Sequence, residues 1–492
     1  MSDEPTAARA PSGTHDVLWP ESSRWEALLA TFAHLVEQAG YGLAHTPLFE
    51  DVRVFRRGIG EGSDVVGKEM YEFEDRGGRT LALRPEGTAP IVRAYVQHRP
   101  PLPWKAWYAT PAFRYERPQA GRYRQHHQLG VEALGPEDPD LDVEVIGLAH
   151  GLFSALGLTA YALKLNSMGD AECRPAYIEL LRSYLAERRD ELCPEHQERL
   201  EANPLRVLDC KRESCRAATA EAPRLVDHLC GPCLEHFDRV QAGLQSLGIP
   251  FELDHRLVRG FDYYTRTTFE FASQALDAAQ NGIGGGGRYD GLVEMLGGLP
   301  TPGIGFGIGI ERVLLACDAE HVFPVAPPML DAYVVDVAGG ETARDLTAQL
   351  RRAGLRADRA FDGRSMRSQL KSADRSRARL ALIVGPDEVA AGTVTVRPLR
   401  DEGTQRTVPR AEVVAAVLAG TGPAVGTRPA DGTSPADRPN PTDGISPADR
   451  PNPTDGTSPN DRHAPTVGAQ SAQAKGTDAK GTVAEPTGKE PA

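Results

Sequence analysis

Across residues 21–40 the apolar positions Trp25, Leu28, Leu29, Phe32, Leu35 and Val36 fall three and four apart, the spacing that paints one face of a helix. A helix is expected there, opened by Ser23 with Glu26 as a capping box and closed by Gly40. Up to residue 174, short β-rich runs such as 80–83 and 105–108 alternate with loops marked by Gly and Pro. That mixture predicts antiparallel sheet with helices, an α+β domain. Residues 175–247 are helix-like and charged and hold Cys193, Cys210, Cys215, Cys230 and Cys233, so they read as a helical insertion. Strand-like sequence returns at 251–258, 265–271 and 303–310, which implies that the first domain resumes over 248–325 and that its segments share one sheet.

From 326 to 419 the pattern changes to strand-like 331–337, helical 343–353, strand-like 380–385 and 393–396, and a final 410–418. Strands alternating with helices predict a compact α/β domain. In the last part, 420–492, aromatics vanish, and the segment beginning Gly432-Thr433-Ser434-Pro435 recurs at Gly444 and, altered, at Gly456. Such a repeat has nothing to bury, so this tail is expected to be disordered rather than a solenoid.

Composition narrows the function. The chain has 492 residues, 40% hydrophobic and 25% charged, with 55 Lys+Arg against 68 Asp+Glu for a net charge of −13. At about 150 residues per domain this length suggests roughly three domains. An acidic balance argues against indiscriminate coating of DNA or RNA, which needs clustered cations, but permits a local basic groove. No run approaches the roughly 18 apolar residues of a membrane span, and residues 1–13 show no secretory or transit signal, so a cytoplasmic location is expected. Seven cysteines, an odd number without an export signal, argue against a disulfide framework.

Four clusters carry candidate chemistry. In Leu83-Arg84-Pro85-Glu86-Gly87-Thr88 a strand-like run ends in a turn that sets a carboxylate beside a hydroxyl, a pair able to bind an ammonium; a lone Glu is ordinarily a solvated charge. In the run from Phe113 to Gln128, Arg114, Arg117, Arg122 and Arg124 flank a Pro/Gly turn. Guanidinium forks match phosphate oxygens, although a solvated hairpin would look the same. The block Arg259-Gly260-Phe261-Asp262-Tyr263-Tyr264 precedes Gly284-Gly285-Gly286-Gly287-Arg288-Tyr289-Asp290, glycines that permit close backbone approach; no Gly-Lys-Ser/Thr follows, which rejects a P-loop. Gly303, Gly305, Gly307 and Gly309 leave one strand face bare before Glu311-Arg312, where a flat ligand could lie or a helix could pack. Ile308 or Ile310 stands where a dinucleotide fingerprint needs its third glycine.

Taken together, Thr46-Pro47-Leu48-Phe49-Glu50, the Arg-Pro-Glu-Gly-Thr segment, the Phe-Arg-x-Glu-Arg-Pro-Gln run, the Arg259 block, residues 285–291 and the Gly-rich strand with Glu311-Arg312 resemble the histidyl-tRNA synthetase family over roughly residues 11–418. The resemblance implies a class II synthetase core, an anticodon-binding domain at the C-terminal side and ligation of L-histidine to tRNA(His) through histidyl adenylate, with ATP and Mg2+. It implies Arg114 on the α-phosphate and substrate carboxylate, Arg259 opposite it as the catalytic cation, Glu116 at adenine and Arg312 on the γ-phosphate. It implies Glu86, Gly87, Thr88 and Gln128 around the histidine ammonium, and Glu132 with Tyr264 on the imidazole nitrogens beside Tyr263. His126 stands where the family often stacks a phenylalanine on adenine, and Phe261 in place of a common leucine looks like core packing. Arg117, Gln119, Arg122 and Arg124 are implied to meet the tRNA acceptor end, and the Thr46 to Glu50 region to form a homodimer interface. The rival is a non-catalytic histidine-sensing subunit like the regulators of ATP phosphoribosyltransferase, which tend to lack the anticodon domain and the catalytic arginines. Threonine and proline enzymes are disfavoured by the Arg259 block.

In the insertion, Cys193 with His196, Cys210, Cys215, and Cys230 with Cys233 provide ligand pairs able to hold a structural zinc. The expected set is Cys193, Cys210, Cys230 and Cys233, with His196 or Cys215 as substitutes, against the alternative of reduced cysteines in a small helical core.

Overall fold

The structure, a computed structural model, describes residues 7–60, 63–277, 281–326, 329–361, 363–400 and 403–420. The expected disorder of the tail lies outside the described residues. Helix α1 (Glu21–Gln38) buries Trp25, Leu28, Phe32 and Val36, as the spacing predicts. It starts earlier than the capping box implied: Pro20 is its N-cap, and Ser23 lies buried inside the first turn. Gly40 ends it as expected, at a positive φ of 83° with its N–H on the Glu37 carbonyl.

Next come β1 (Gly42–Leu43), β2 (Phe49–Asp51), α2 (Val52–Ile59), β3 (Glu72–Glu74), β4 (Thr80–Leu83), α3 (Thr88–His98), β5 (Trp104–Phe113), β6 (Gln125–Leu134), α4 (Pro139–Ala155) and β7 (Tyr161–Ser167). Helices α5 (Arg174–Ala186), α6 (Pro194–Arg199), α7 (Leu205–Leu208), α8 (Glu213–Ala218) and α9 (Gly231–Ser246) interrupt the sheet. It resumes with β8 (Glu252–Leu253), β9 (Thr265–Ser273), β10 (Gly282–Arg288), α10 (Leu292–Met295), β11 (Gly303–Gly309) and α11 (Ile310–Ala319). The main sheet runs β1-β5-β6-β11-β10-β9-β7-β8, antiparallel throughout except for the two edge pairs. Segments on both sides of the helical interruption therefore share one sheet. The run 80–83 pairs instead in a small sheet, β2-β4-β3. The strand expected at 251–258 is only two residues long, because Leu257 N–H folds back to the Asp254 carbonyl in a turn.

The sheet's two faces differ. Ile304, Phe306 and Ile308 of β11 join Phe269 and Phe271 in a core covered by α1, α4 and α9. The intervening glycines face the other side, where the site lies.

A second sheet, β13-β12-β14-β15-β16, follows, from β12 (Ala332–Asp336), β13 (Ala357–Arg359), β14 (Leu380–Val384), β15 (Thr393–Pro398) and β16 (Arg406–Pro409). Its first three strands are parallel, with α12 (Glu341–Arg352) and α13 (Met366–Arg375) in the connections. The short α14 (Pro386–Ala391) precedes β15, and α15 (Val413–Gly420) closes the described chain. The fold is thus α+β, a mixed, largely antiparallel sheet plus a separate α/β unit. Among the described residues no helix is long and apolar enough to cross a membrane.

Candidate active site

A cavity of about 710 Å³ opens on the glycine face and adjoins a second of about 200 Å³; Arg114, Glu116, Arg122, Gln128, Arg259, Glu270 and Arg312 line both. Arg114 follows directly on β5 and Arg312 lies in the first turn of α11, so the sheet carries the two guanidiniums to one place. Arg259 reaches it from the turn before β9, its Nη1 donating to Glu270 at 2.8 Å. A Cβ on Gly285 would stand 2.9 Å from that same Nη1, so glycine is what lets Arg259 lie against the sheet. Burial works against its charge, but Tyr264 and Glu270 more than offset this and hold the guanidinium above its ordinary pKa.

The cluster is only partly neutralised: Glu270 pairs with Arg259 at 2.8 Å, and Glu116 lies 3.4 Å from Arg122. Burial, together with the positive charges of Arg122 and Arg114, lowers the pKa of Arg312, only partly opposed by Glu116. Arg114 donates through Nε to the Pro85 carbonyl at 2.9 Å, and its nearest carboxylate, Glu116, is 3.9 Å away. Its guanidinium lies 5.6 Å from the ring centroid of Phe261, which packs against the core as expected and also forms part of the cavity wall. His126, between the same cations, is pushed down to about 3 by burial first and then by Arg114 and Arg312, and is neutral at pH 7. Three crowded guanidiniums around open space form a receptor for a polyanion.

Beside them lies a buried polar cluster, whose Thr88 and Tyr108 reach the cavity wall. Glu132 of β6 is fully buried and accepts hydrogen bonds from Thr88 at 2.7 Å, Tyr108 at 3.2 Å and Tyr289. A Cβ on Gly305 would come within 1.9 Å of its carboxylate, which explains one of the bare positions on β11. Burial raises its pKa to about 8, against the pull of the donated hydrogen bonds. Tyr108 and Tyr289 were not singled out from sequence; the Gly-rich run ending in Arg288-Tyr289 was the available signal. Glu86 caps the start of α3, accepting the backbone N–H of Thr88 at 2.6 Å and of Ala89 at 2.8 Å, and burial raises its pKa. The intervening Gly87 is needed because a Cβ there would strike the Tyr108 ring at 2.3 Å. Gln128 lines the cavity with its Oε1 buried and without a hydrogen-bond partner among the described residues. Tyr263 and Tyr264 pack together, ring centroids 4.6 Å apart, with the Arg259 guanidinium 5.9 Å from the Tyr264 ring.

The four turn residues between β5 and β6 separate. Gln119 and Arg122 bridge across a tight turn, with Arg122 toward the cavity; Arg117 and Gln119 are exposed; and Arg124 lies over the Tyr115 ring at 3.9 Å. The insertion also contributes to the cavity wall through Arg206, Asp209, Cys210, Lys211 and Arg216, which sequence reading had not placed there.

The cysteines require a correction. The structure does not gather Cys193, Cys210, Cys230 and Cys233 around one point. Cys193 and Cys210 meet His196 and Cys215, whereas Cys230 and Cys233 meet Cys173 and Asp170. Spacing identified the pairs, but the helices between them decide which pairs face each other.

Comparison with known proteins agrees with this geometry. The family model described as histidyl-tRNA synthetase matches residues 13–313, and an anticodon binding domain model matches 324–419. The chain is 51% identical to the histidine–tRNA ligase of Moorella thermoacetica over 82% of this chain and 96% of that protein. It is 48% identical to that of Corynebacterium kroppenstedtii over 85% and 98%. The crystal structure of apo S. aureus histidyl-tRNA synthetase superposes with a TM-score of 0.71 at 34% identity, covering 84% of this chain and 100% of that one.

Proposed function

The chain belongs to the histidyl-tRNA synthetase family, and we infer from that membership that it is a histidine–tRNA ligase working in two steps at the cavity described above. In the first, a carboxylate oxygen of histidine attacks the α-phosphorus of ATP and pyrophosphate leaves with the bonding electrons, giving histidyl adenylate. In the second, a hydroxyl of the terminal tRNA ribose attacks the acyl carbon and AMP departs. The observation that carries this reading is that Arg114, Arg259 and Arg312 line a cavity that also reaches Thr88 and Tyr108, the hydroxyls bonded to Glu132.

In this reading Arg114 and Arg259 hold the α-phosphate from two sides. Fixed guanidiniums stabilise the charge that builds there without reorganising at the moment of reaction. Arg312 takes the γ-phosphate, Glu116 the adenine edge, and the neutral His126 ring stacks on adenine. The Thr88 hydroxyl donates its hydrogen bond to Glu132 and keeps lone pairs for the histidine ammonium, where Glu86 and the orphan Gln128 Oε1 join it. Glu132 and Tyr264 read the imidazole nitrogens beside Tyr263. A site that bonds both ring nitrogens rejects apolar isosteres by roughly 10⁴ or more, because its polar groups would be stranded. Mg2+ suits the carboxylates Glu116 and Glu270, which face the same space as the arginines and offer the oxygen donors it takes alongside phosphates. When bound it neutralises phosphate charge.

Arg117, Gln119, Arg122 and Arg124 are assigned to the tRNA acceptor end, and residues 326–419 to the anticodon. The remaining division, a core of 1–174 and 248–325 around an insertion of 175–247, with a tail of 420–492, is part of the same proposal. A homodimer is assigned to the Thr46 to Glu50 region, where Leu48, Phe49 and Phe73 expose 44, 50 and 42% of their surface. The cytoplasm is the assigned location. Histidine-dependent exchange of pyrophosphate into ATP, followed by charging of tRNA(His), tests the function. Both activities are expected; histidine binding without exchange would instead favour the regulatory-subunit reading.

A further inference from the structure

Seven cysteines are free thiols, and six of them are gathered into two groups that take no part in the chemistry above. In the first, Cys193, His196, Cys210 and Cys215 bring one donor atom each within 4.8 Å of all the others. The Cys193 sulfur stands 3.1 Å from His196 Nδ1, and the Cys215 sulfur 3.7 Å from the same nitrogen. In the second, Asp170, Cys173, Cys230 and Cys233 converge within the same limit. The Cys173 sulfur is 3.5 Å from Asp170 Oδ1, and that of Cys230 is 3.8 Å from both carboxylate oxygens.

Apart from the shorter Cys193–His196 approach, these separations are close to those of a tetrahedron. With zinc–sulfur bonds of about 2.3 Å and zinc–nitrogen bonds of about 2.05 Å, neighbouring ligands stand about 3.8 Å apart for two sulfurs and about 3.6 Å for sulfur and nitrogen. Each group holds three sulfurs, so a disulfide would strand one thiol, whereas a tetrahedral ion uses all four donors. Thiolate-rich sets with imidazole or carboxylate select zinc over magnesium, calcium or manganese. Four protein donors leave no open coordination position, the mark of a structural site.

Each group also joins two separate chain segments. The first ties the start of α6 to the connection between α7 and α8, helices of six, four and six residues that are too short to persist alone. One of its ligands, Cys210, lies in the cavity wall between Asp209 and Lys211. The second ties Asp170 and Cys173, where the chain leaves β7 for α5, to Cys230 and Cys233 at the start of α9. It therefore clasps the insertion near where the chain leaves the main sheet and where its last helix begins. Three thiolates and a carboxylate around zinc leave surplus negative charge, and Arg266 approaches Asp170 at 3.9 Å to offset it.

We propose that the chain carries two structural zinc ions, one held by Cys193, His196, Cys210 and Cys215 beside the active cavity, and one by Asp170, Cys173, Cys230 and Cys233 at the base of the insertion. The test is zinc analysis of the full-length protein, purified without chelator and desalted, with three single variants and one double. Two equivalents per chain are expected. Cys215→Ser and Cys173→Ser should each hold one, their combination close to none, and Cys317→Ser, which changes the cysteine outside both groups, should keep two. One equivalent or fewer in the unaltered protein, or two retained in either ligand variant, overturns the proposal. Cobalt-loaded unaltered protein gives a reading independent of how the variants fold. Intense tetrahedral d–d absorption with a thiolate charge-transfer band at two cobalt per chain supports the assignment, and weak octahedral absorption overturns it.

Discussion

Glu132→Gln keeps the shape of the buried side chain and removes its titrating proton, and its consequences for stability and for function run in opposite directions. Burial moves the carboxyl from 4.5 to about 8 in the folded chain. Between those values the folded state keeps a proton that the unfolded state has lost, so this residue's contribution is complete below the lower value and falls as pH rises toward the higher. By linkage the loss is on the order of 3 kcal/mol by pH 7 and roughly 5 kcal/mol by pH 9. Glutamine has no such proton. The difference in unfolding free energy, variant minus wild type, should therefore climb by that amount between about pH 4 and pH 9 in denaturant titrations, with the other titrating groups cancelling. Histidine recognition should suffer meanwhile. Losing a hydrogen bond to the imidazole, with a buried partner left unsatisfied, costs about 1–3 kcal/mol, a rise of roughly 5- to 150-fold in the KM for histidine. A pH-independent stability difference, together with an unchanged KM, would refute both halves of the argument.

Three further outcomes follow from other contacts. Phe49→Arg places a charge on the exposed pair of rings, Phe49 and Phe73, whose centroids are 6.2 Å apart; sedimentation should show the particle mass halved, and an unchanged mass would move the subunit contact elsewhere. His126→Phe restores a larger stacking face where the imidazole is already neutral, with its pKa about 3. The KM for ATP should fall a few-fold with no change in the pH profile above pH 5, and a profile that shifts would contradict the neutral ring. Arg288→Met removes a fully buried guanidinium that donates through Nε to Asp142 Oδ2 at 3.1 Å, and leaves that carboxylate with His236 at 3.2 Å. Breaking such a buried pair costs about 3–5 kcal/mol, so thermal melting should drop by at least about 6 °C, and a smaller drop would mean that His236 suffices.

Where a segment's character depends on its own residues, it was legible in the sequence. The spacing of Trp25, Leu28, Phe32 and Val36 gives α1, and the alternation of Gly with Ile and Phe over 303–309 gives a strand with one packed and one bare face. The arginine run around Arg114 suggested anion chemistry, with a solvated hairpin as the alternative, and the role of Arg259 came only from the family resemblance. What depended on distant partners was not legible. Glu132 is buried because Thr88, Tyr108 and Tyr289, from three other elements, converge on it. Phe261 packs against the core as its apolar ring suggests, but only the fold shows that it also lies under the Arg114 guanidinium. The cysteine pairs were visible, but their assortment into two groups depends on how α5 to α9 pack.

The account rests on Arg114 and Arg259 acting on one phosphorus while another part of the same cavity holds the imidazole, and Arg259→Ala tests this most directly. Pyrophosphate-exchange turnover and the equilibrium dissociation constant for histidine would be measured on the same preparation. Removal of one fixed donor from a transition state costs roughly 10²–10³ in rate. Exchange should therefore fall by about that factor while histidine binds within about threefold of normal. Equal losses in both quantities, or exchange that survives intact, would contradict the convergence of the two arginines.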